Sequence, residues 1–485
     1  VPDRAVSGET EVQLMKSIQE SLHGIAVRGG SYSLAVTAVV LAIAVAVNVL
    51  ASVLPTSLTK YDMTSTNLYS VTSSTKVVVN ALQKDVTIYW VVQSGKEDEV
   101  IDNLLGKYEG LSSHISVVKK NPDVFPTFTS QYTDEDVPNN SLIVECGDKS
   151  RYISYDDIYL TDVDYTTYSY VYSFDGEGAV TSAIDYVISE ELPKVYTLEG
   201  HGEQELPSQF QDQIEKANLE LESFSLLNTD EVPKDANALL IYAPQSDFSE
   251  DEISLLRGYL SGGGKLLVIA GPTENGTLST LYSLLADYGV ETAEGIVVET
   301  DRSHYAFQQP YILLPDIASS DITDPLLEEN YYALIPLAQG LTVTGSSATA
   351  LLTTSDTAFS KAAGFQLETY EKEDGDTDGP FALAVCVDTG DDGQLIWFSS
   401  GYFLEDVYNA YSSGANLDLA MNALSSLVGE REAVSIRSKS LSYNYLTISQ
   451  SQASALKLWM IGVIPGMFVL YGVVTVIERR RKRHE

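Results

Sequence analysis

The sequence predicts an α/β fold that is held to a membrane by one apolar segment near each end of the chain. Strand-like apolar runs alternate with amphipathic helical segments along most of the chain. That alternation is typical of a mostly parallel sheet covered by helices on both faces. Residues 34–54 and 456–477 are long apolar stretches, and basic residues follow the second stretch directly.

Each apolar segment is long enough to cross the hydrocarbon core of a bilayer, which takes about 20 helical residues. Residues 34–54 carry no charge, and Asn48 is their only strongly polar side chain. A signal peptide is the alternative for this segment, because Ala51-Ser52-Val53 resembles a small-residue cleavage site. Residues 456–477 place a lysine and a tryptophan at their outer end, where both suit the membrane interface.

The basic tail predicts how the chain is oriented. Residues 479–483 are all Arg or Lys, and such a cluster marks the cytoplasmic side of a membrane. With two spans, both termini are then cytoplasmic, and a large region lies outside the membrane. We therefore expect, in chain order, a cytoplasmic leader (1–33), a transmembrane helix (34–54), a first extracytoplasmic α/β domain (55–172), a second one (173–455), a transmembrane helix (456–477) and a basic cytoplasmic tail (478–485).

Composition excludes two broad classes of protein. A formal net charge of −39 is the wrong sign for a nucleic-acid binder. A hydrophobic content of 44% is too high for a disordered acidic chain. Cys146 and Cys386 each lie in an apolar strand-like run, which favours buried free thiols, with a single disulfide as the alternative in an extracytoplasmic domain.

The first outer domain is predicted to be a small α/β unit. β-Branched and aromatic residues favour strands, and an apolar stripe favours one helix. The predicted elements are the strands Val86–Val92, His114–Val118, Leu142–Cys146 and Tyr152–Ile158, and the helix Glu97–Leu111.

The second outer domain is predicted to start with a helix that ends before Pro193, followed by the buried strand Lys194–Leu198. Strand and helix then alternate in Pro207–Ala217 (helix), Leu221–Leu226 (strand), Ala238–Tyr242 (strand), a helix begun by the capping box of Ser249 and Glu252, Lys265–Ile269 (strand), Thr277–Tyr288 (helix) and Gly295–Val298 (strand). The later strands are expected to extend the same sheet before a closing helix: Thr342–Val343, Ala350–Thr353, Phe381–Val387, Gln394–Phe398 and the helix Asn416–Val428.

One loop of this domain has the composition of a binding site. Gly200-His201-Gly202-Glu203 follows the strand Lys194–Leu198 at its carboxyl end, the edge at which open α/β sheets bind ligands. The two glycines allow a tight turn, and a histidine beside carboxylates suits a metal ion or sugar hydroxyls. The candidate ligand-binding residues are Glu199, Gly200, His201, Gly202 and Glu203.

The same loop also has a purely structural interpretation. The glycines would then serve the turn alone, His201 would form a local hydrogen bond, and Glu203 and Glu205 would lie near the positive end of the next helix. The chain has five histidines, and none of the others lies at a metal-ligand spacing from His201. We therefore predict no metal site.

Motifs for catalysis are missing from the sequence. Gly262-Gly263-Gly264-Lys265 lacks the spacing of a phosphate loop and precedes a strand instead of a helix. No G-x-S-x-G or cysteine elbow follows a predicted strand. We therefore predict that the chain is neither the ATPase of a transporter nor another enzyme, and we expect no catalytic residues and no cofactor.

Six segments match the motifs of a known family in their order along the chain. They are Phe174-Asp175-Gly176-Glu177, Leu198 to Glu203, Ala238 to Pro244, Gly262 to Leu267, Leu281 to Val290 and Ser435 to Leu441. The chain resembles the GldG family, the auxiliary proteins of a class of ABC transport systems. One departure is Asn121-Pro122-Asp123, where the family pattern would place an acidic residue first.

The resemblance implies a non-enzymatic, membrane-anchored partner of an ABC permease and a separate ABC ATPase. It also implies an amidotransferase-like or flavodoxin-like fold for the outer domain. A similar fold occurs in an intraflagellar-transport protein for which saccharide binding has been suggested, so cell-wall glycan is a further candidate partner. The alternative function is a free-standing extracytoplasmic saccharide-binding surface protein.

Overall fold

The computed structural model describes residues 35–47, 49, 68–164, 169–229, 231–429, 436–441 and 457–481. Residue contacts divide the chain into two compact units, Val1–Thr64 and Ser65–Glu485. Within the first unit, the described helix is α1, Ala35–Val47. The predicted leader and residues 482–485 of the predicted basic tail lie outside the described residues.

The second unit begins with a four-stranded mixed sheet and its helices. In chain order, the elements are α2 (Ser73–Asn80), β1 (Val86–Val91), α3 (Glu99–Leu111), β2 (Ile115–Lys120), β3 (Ser141–Cys146), β4 (Lys149–Ile153), α4 (Tyr155–Ile158), β5 (Tyr159–Asp164), β6 (Ser169–Phe174) and α5 (Gly176–Ile188). The strand order is β2-β1-β3-β4, with β1 parallel to β2 and antiparallel to β3. The small α/β unit predicted from the sequence is therefore present.

Two details of this region differ from the prediction. Helix α5 was assigned to the second domain, but its apolar residues Val180, Ile184 and Val187 are buried in the core of the small sheet. The strand predicted at Tyr152–Ile158 is correct only for Tyr152 and Ile153, which end β4, because Ser154 caps the short helix α4 that follows. The Ser154 side chain and the Asp157 carboxylate form a reciprocal capping box that stabilises this helical turn.

The rest of the second unit contains a ten-stranded sheet. Its elements and those of the smaller sheets beside it are β7 (Lys194–Leu198), α6 (Ser208–Lys216), β8 (Glu220–Phe224), β9 (Ala236–Tyr242), α7 (Glu250–Ser261), β10 (Lys265–Ile269), α8 (Ser279–Ala286), β11 (Val290–Thr292), β12 (Ile296–Val298), β13 (Ile312–Leu313), β14 (Asp316–Ile317), α9 (Asp324–Glu328), β15 (Ile335–Pro336), β16 (Leu341–Val343), β17 (Ala348–Thr353), β18 (Phe359–Lys361), β19 (Thr377–Asp378), β20 (Ala382–Gly390), β21 (Gly393–Phe398), α10 (Asp406–Tyr411) and α11 (Ala415–Val428).

The large sheet is parallel on one side and antiparallel on the other. Its main order is β11-β16-β20-β21-β10-β9-β7-β8, and β17 and β14 branch from β20. Strands β8, β7, β9, β10 and β21 are parallel, whereas β20 pairs antiparallel with β21. Asp391 and Asp392 join those two strands with φ values of +49° and +64°, the geometry of a tight hairpin turn. The predicted mostly parallel sheet is thus correct for five strands only, although the later strands do extend the same sheet as expected.

Both faces of the large sheet are covered, which explains why its strands are almost continuously apolar. Leu240 and Leu267 point to the face that packs on α6 and α11. Their neighbours Leu239 and Leu266 point to the opposite face, which packs on α7 and α8. Alternate residues of one strand therefore belong to two separate cores.

The cysteines are both free. Cys146 ends β3 and is buried, whereas Cys386 lies in β20 and is half-buried. The two residues belong to different sheets. The predicted free thiols are confirmed.

An apolar helix closes the described chain. It begins as a π-helix at Leu458–Val463 and continues as α12, Ile464–Arg481. Its 18-residue segment Leu458–Thr475 is long and apolar enough to cross a membrane, judged by length and composition. In the segment predicted as the first span, α1 is shorter, and residues 50–54 lie outside the described residues.

Residues from the beginning and the end of the second unit meet beside α5. The short strand Lys439–Ser440 pairs antiparallel with Phe174 and Ser173 at the end of β6. The Glu177 carboxylate accepts hydrogen bonds from the Thr72 N–H at 2.6 Å and from the Thr75 hydroxyl at 2.7 Å. Its second oxygen lies 2.8 Å from the Lys439 ammonium. We call Thr72, Thr75, Glu177 and Lys439 the Glu177 junction.

The charged side chains of the Glu177 junction are buried and paired with each other. The side chains of Glu177 and Lys439 are only 2% and 9% exposed. Lys439 also donates to the Ser70 carbonyl at 2.5 Å. Burial opposes ionisation of Glu177, but the hydrogen bonds from Lys439, Thr72 and Thr75 outweigh it and lower the pKa of the carboxyl. The junction therefore connects the residues that follow the first apolar segment to those that precede the last one.

Candidate functional site

The loop after β7 lies at the topological switch point of the large sheet. From β7, the chain passes through α6 to β8 on one side. On the other side of β7, β9 continues through α7 to β10. Because α6 and α7 cover opposite faces, the connections diverge here, which is the arrangement that leaves a crevice at the carboxyl ends of the strands.

The glycines of this loop adopt conformations that other residues avoid. Gly200 has φ +131° and Gly202 has φ +71°. A Cβ on Gly200 would also lie 2.7 Å from Cδ1 of Leu227. The predicted need for glycine at both turn positions is therefore confirmed by the backbone.

The loop is bonded to the segment that follows β9. The His201 carbonyl oxygen accepts hydrogen bonds from the Gln245 N–H at 3.0 Å and from the Ser246 N–H at 2.9 Å. The Ser246 hydroxyl donates to the same oxygen at 2.9 Å. The two loops on either side of the switch point thus hold each other in place.

The His201 ring is enclosed by two carboxylates and an aromatic ring. Its Nδ1 lies 3.3 Å from Oε1 of Glu203, and its Nε2 lies 3.2 Å from Oε1 of Glu252. Phe248 stacks on the imidazole with ring centroids 3.7 Å apart. The side chain of His201 is 5% exposed, so both ring nitrogens face partners from this chain. We call His201, Glu203 and Glu252 the His201 triad.

The carboxylates of the triad have further partners that place them. Glu203 accepts from the Gly200 N–H at 3.0 Å and from the His201 N–H at 2.8 Å. Glu252 accepts from the Ser249 N–H at 2.9 Å, which completes the capping box of α7. The predicted capping box is confirmed, and its carboxylate has the second role of facing His201.

Burial and charge act against each other in the triad. Burial disfavours the imidazolium, but Glu203 and Glu252 outweigh it and raise the pKa of His201. Burial likewise disfavours both carboxylates, but their hydrogen bonds and the charge of His201 lower the pKa values of Glu203 and Glu252. The two carboxylates therefore favour the protonated form of the imidazole that lies between them.

This geometry favours the structural interpretation of His201 over a direct contact with a ligand. Glu199, Gly200 and Gly202 are exposed, whereas the imidazole is buried. Among the described residues, no group of three or more His, Cys, Asp or Glu side chains is placed to hold a metal ion. Ligand binding by Glu199, Gly200, His201, Gly202 and Glu203 stays a prediction, with the exposed backbone as the accessible part.

The sequence did not predict that Glu252 belongs to this site. The capping box indicated a structural role at the start of α7, 51 positions after His201. The contact arises because β7 pairs with β9 and α7 follows β9, and no sequence signal indicated that pairing.

A strained residue occupies the end of the neighbouring strand. Ala243 follows β9 with φ +44° and is 3% exposed. A non-glycine residue in this region is unusual, and hydrolases place a nucleophile at such a strand-end turn. The side chain here is a methyl group, so this turn supplies no nucleophile.

One protein-family model matches the part of the chain that contains the large sheet. The model of the ABC transport auxiliary family, described as an ABC-type uncharacterized transport system, matches residues 192–424. The match begins just before β7 and ends within α11. It supports the resemblance to the auxiliary proteins of ABC-type transport systems, without distinguishing the GldG subtype. A comparison with curated proteins gave no match.

Several solved structures are similar to part of the chain. The mmIFT52 N-terminal domain is 18% identical with a TM-score of 0.38, over 49% of this chain and 98% of that one. A GMP synthase protein from Thermoplasma acidophilum is 8% identical with a TM-score of 0.27, over 48% of this chain and 96% of that one. A ThuA-like protein from Parabacteroides merdae is 12% identical with a TM-score of 0.27, over 48% of this chain and 89% of that one. Similarities of this size support no functional argument, and the amidotransferase-like fold stays a prediction.

Proposed function

We propose that the chain is a non-enzymatic, membrane-anchored auxiliary subunit of an ABC transport system. The observation that carries the proposal is the family match over residues 192–424. In this proposal, the two apolar segments pack with a permease in the bilayer, and a separate ATPase drives transport. The outer region binds substrate, cell-wall glycan or outer loops of the permease.

The arrangement of the described residues is compatible with an accessory role. The loops at the switch point are bonded to each other and carry Ala243 at the strand end where hydrolases have a nucleophile. The Glu177 junction connects residues near both apolar segments.

We propose a two-pass topology with both termini in the cytoplasm. The support is the apolar helix Leu458–Thr475 and the Arg and Lys residues at 479–483. For the first segment, the support is the charge-free stretch 34–54. Single cysteines at Ser7 and Asp356, introduced in a variant with Cys146 and Cys386 replaced by Ser, would test the topology. An impermeant maleimide should label intact cells at position 356 and not at position 7.

Purification from the native membrane in a mild detergent, followed by mass spectrometry, tests the transport role. We expect a permease and an ABC ATPase in stoichiometric amounts with the intact chain. A control chain that lacks residues 457–481 should lose these partners if the membrane helix contributes to the interface. A monomer or homodimer without transporter partners in several detergents would contradict the proposal and favour the free-standing saccharide-binding alternative.

A further inference from the structure

A cleft is lined by residues that lie between β12 and β16 along the chain. None of these residues belongs to the His201 triad, and the proposed transport role does not use the cleft. It has a volume of about 430 Å³, which lies within the usual range of small-molecule sites. The segment around His304 forms one wall, Leu314 to Asp316 form another, and Tyr332 and Leu334 close the side. The lining combines apolar side chains with a few polar groups, as ligand sites do.

Two aromatic rings border the cleft and are still half exposed. Phe307 is 51% exposed and Tyr332 is 50% exposed. The Tyr332 hydroxyl donates to the Tyr411 carbonyl at 2.9 Å, and the Phe307 ring lies 4.4 Å from the Tyr411 ring. Tyr411 therefore holds both rings in place from behind while their outer surfaces stay open.

The backbone that presents Phe307 is in a rare conformation. Phe307 and Gln308 have φ values of +54° and +58°. Two consecutive non-glycine residues in the left-handed region are uncommon, and such strain often accompanies a functional site. The loop is held by hydrogen bonds from the Leu314 N–H to the His304 carbonyl at 2.7 Å and from the Ala306 N–H to the Ile312 carbonyl at 2.9 Å.

The polar groups of the cleft accept hydrogen bonds more readily than they donate them. His304 is occupied by its own neighbours, with Nδ1 3.4 Å from Asp301 and Nε2 3.5 Å from Asp316. The Asp316 side chain is 73% exposed and can accept further hydrogen bonds but donate none when ionised. Among the described residues that line the cleft, none is Lys or Arg.

These features select for a positively charged ligand. An ammonium group has donors only, which matches the acceptor oxygens of Asp316. A cation is also attracted to the faces of aromatic rings such as Phe307 and Tyr332. The net charge of −39 favours the approach of cations over anions. A neutral sugar would need donors from the protein as well as acceptors, and His304 is already engaged.

We propose that this cleft binds an organic cation, an ammonium group on an apolar or aromatic body. Asp316 pairs with the charge, and Phe307 and Tyr332 lie against the body of the ligand. The proposal does not depend on the transport role, because it rests on the cleft alone.

Calorimetric titration of the full-length protein in a non-ionic detergent tests the proposal. The probe is phenethylammonium chloride, and its neutral counterpart is phenethyl alcohol. We expect saturable binding of the ammonium that weakens as salt is added, and no saturable binding of the alcohol. Asp316→Asn should weaken binding roughly three- to fivefold, as expected for the loss of an exposed charge pair.

Two further variants make the test specific. Phe307→Gly removes the ring and suits the positive φ, so the loop should keep its conformation, and binding should again weaken. Asp321→Asn removes an exposed carboxylate of the same segment that does not line the cleft, and binding should stay unchanged. Equal binding of alcohol and ammonium, equal effects of Asp316→Asn and Asp321→Asn, binding of cellobiose instead, or no saturable binding of the ammonium would each overturn the proposal.

Discussion

The Glu177 junction and the His201 triad both place buried carboxylates against a basic side chain, yet they differ in charge balance and in reach. The junction pairs one carboxylate with one ammonium, and its partners come from 102 to 262 positions away. The triad sets two carboxylates against one imidazole, and its partners come from 2 and 51 positions away. The junction is thus neutral and long-range, whereas the triad is net negative and more local.

This difference separates two uses of a buried charge. Breaking a neutral, fully bonded pair leaves an uncompensated buried charge and should be costly at any pH near neutrality. The triad contains a histidine whose pKa is raised, so its contribution to stability should depend on pH. The junction therefore suits a permanent connection, and the triad suits a loop whose stability varies with conditions.

The largest expected effect is at the junction. Glu177→Gln removes the charge that Lys439 faces while keeping the shape of the side chain. We expect a loss of about 3 kcal/mol in stability, because the Lys439 ammonium then stays buried without a counter-charge. Hydrogen exchange followed by mass spectrometry should show faster exchange in α2 and in the strand Lys439–Ser440.

A matched exposed pair is the control for this effect. Glu222 lies 3.0 Å from Lys194, and its side chain is 46% exposed. Glu222→Gln should cost less than about 1 kcal/mol, as exposed pairs do. In a double-mutant cycle with Lys439→Met, Glu177→Gln should have a coupling energy of about 1–3 kcal/mol. A coupling energy near zero would mean that the ion pair between Glu177 and Lys439 does not itself stabilise the junction.

A smaller effect that varies with pH is expected at the triad. His201→Gln leaves Glu203 and Glu252 without a cation between them, so we expect a loss of about 2 kcal/mol. Urea denaturation at several pH values would measure it. His114→Gln is the control, because that histidine is 41% exposed beside Asp85 and should change stability by less than about 1 kcal/mol.

The sign of each pKa shift defines the pH window. The raised pKa of His201 gives a contribution that is complete below its ordinary value of 6.5 and is lost as pH rises through the folded value. The lowered pKa values of Glu203 and Glu252 give a contribution that is complete above 4.5 and is lost as pH falls through their folded values. The difference between wild type and His201→Gln should therefore be largest between pH 4.5 and 6.5. A difference that does not vary with pH would argue against a charged triad.

The smallest expected effect is in the backbone of the triad's loop. Gly202→Ala should cost about 1 kcal/mol, because φ is +71° although nothing lies within 3 Å of the new Cβ. Gly106→Ala is the opposite case, since Gly106 lies within α3 with no heavy atom within 4 Å of a new Cβ. That change should stabilise the protein by about 0.5–1 kcal/mol. Thermal melting of both variants would measure the contrast, and stabilisation by both would show that the turn does not require glycine at position 202.

Local patterns in the sequence predicted the elements that local interactions determine. The capping box of Ser249 and Glu252 and the glycine turn after β7 are correct because their contacts lie within a few residues. The apolar strands of the large sheet are also correct, since burial on both faces leaves a continuous apolar run. The strand expected at Tyr152–Ile158 is wrong after Ile153, because Ser154 caps a short helix at that point.

The sequence by itself determined an α/β protein with a glycine–histidine turn at the end of a buried strand, because composition and residue periodicity record burial and backbone freedom. The tertiary structure decided which distant residues meet: α5 packs with the small sheet, Glu177 meets Lys439, and Glu252 faces His201. It also decided that half of the large sheet is antiparallel. Pairings of this kind depend on how whole elements pack, and no local pattern of residues encodes them.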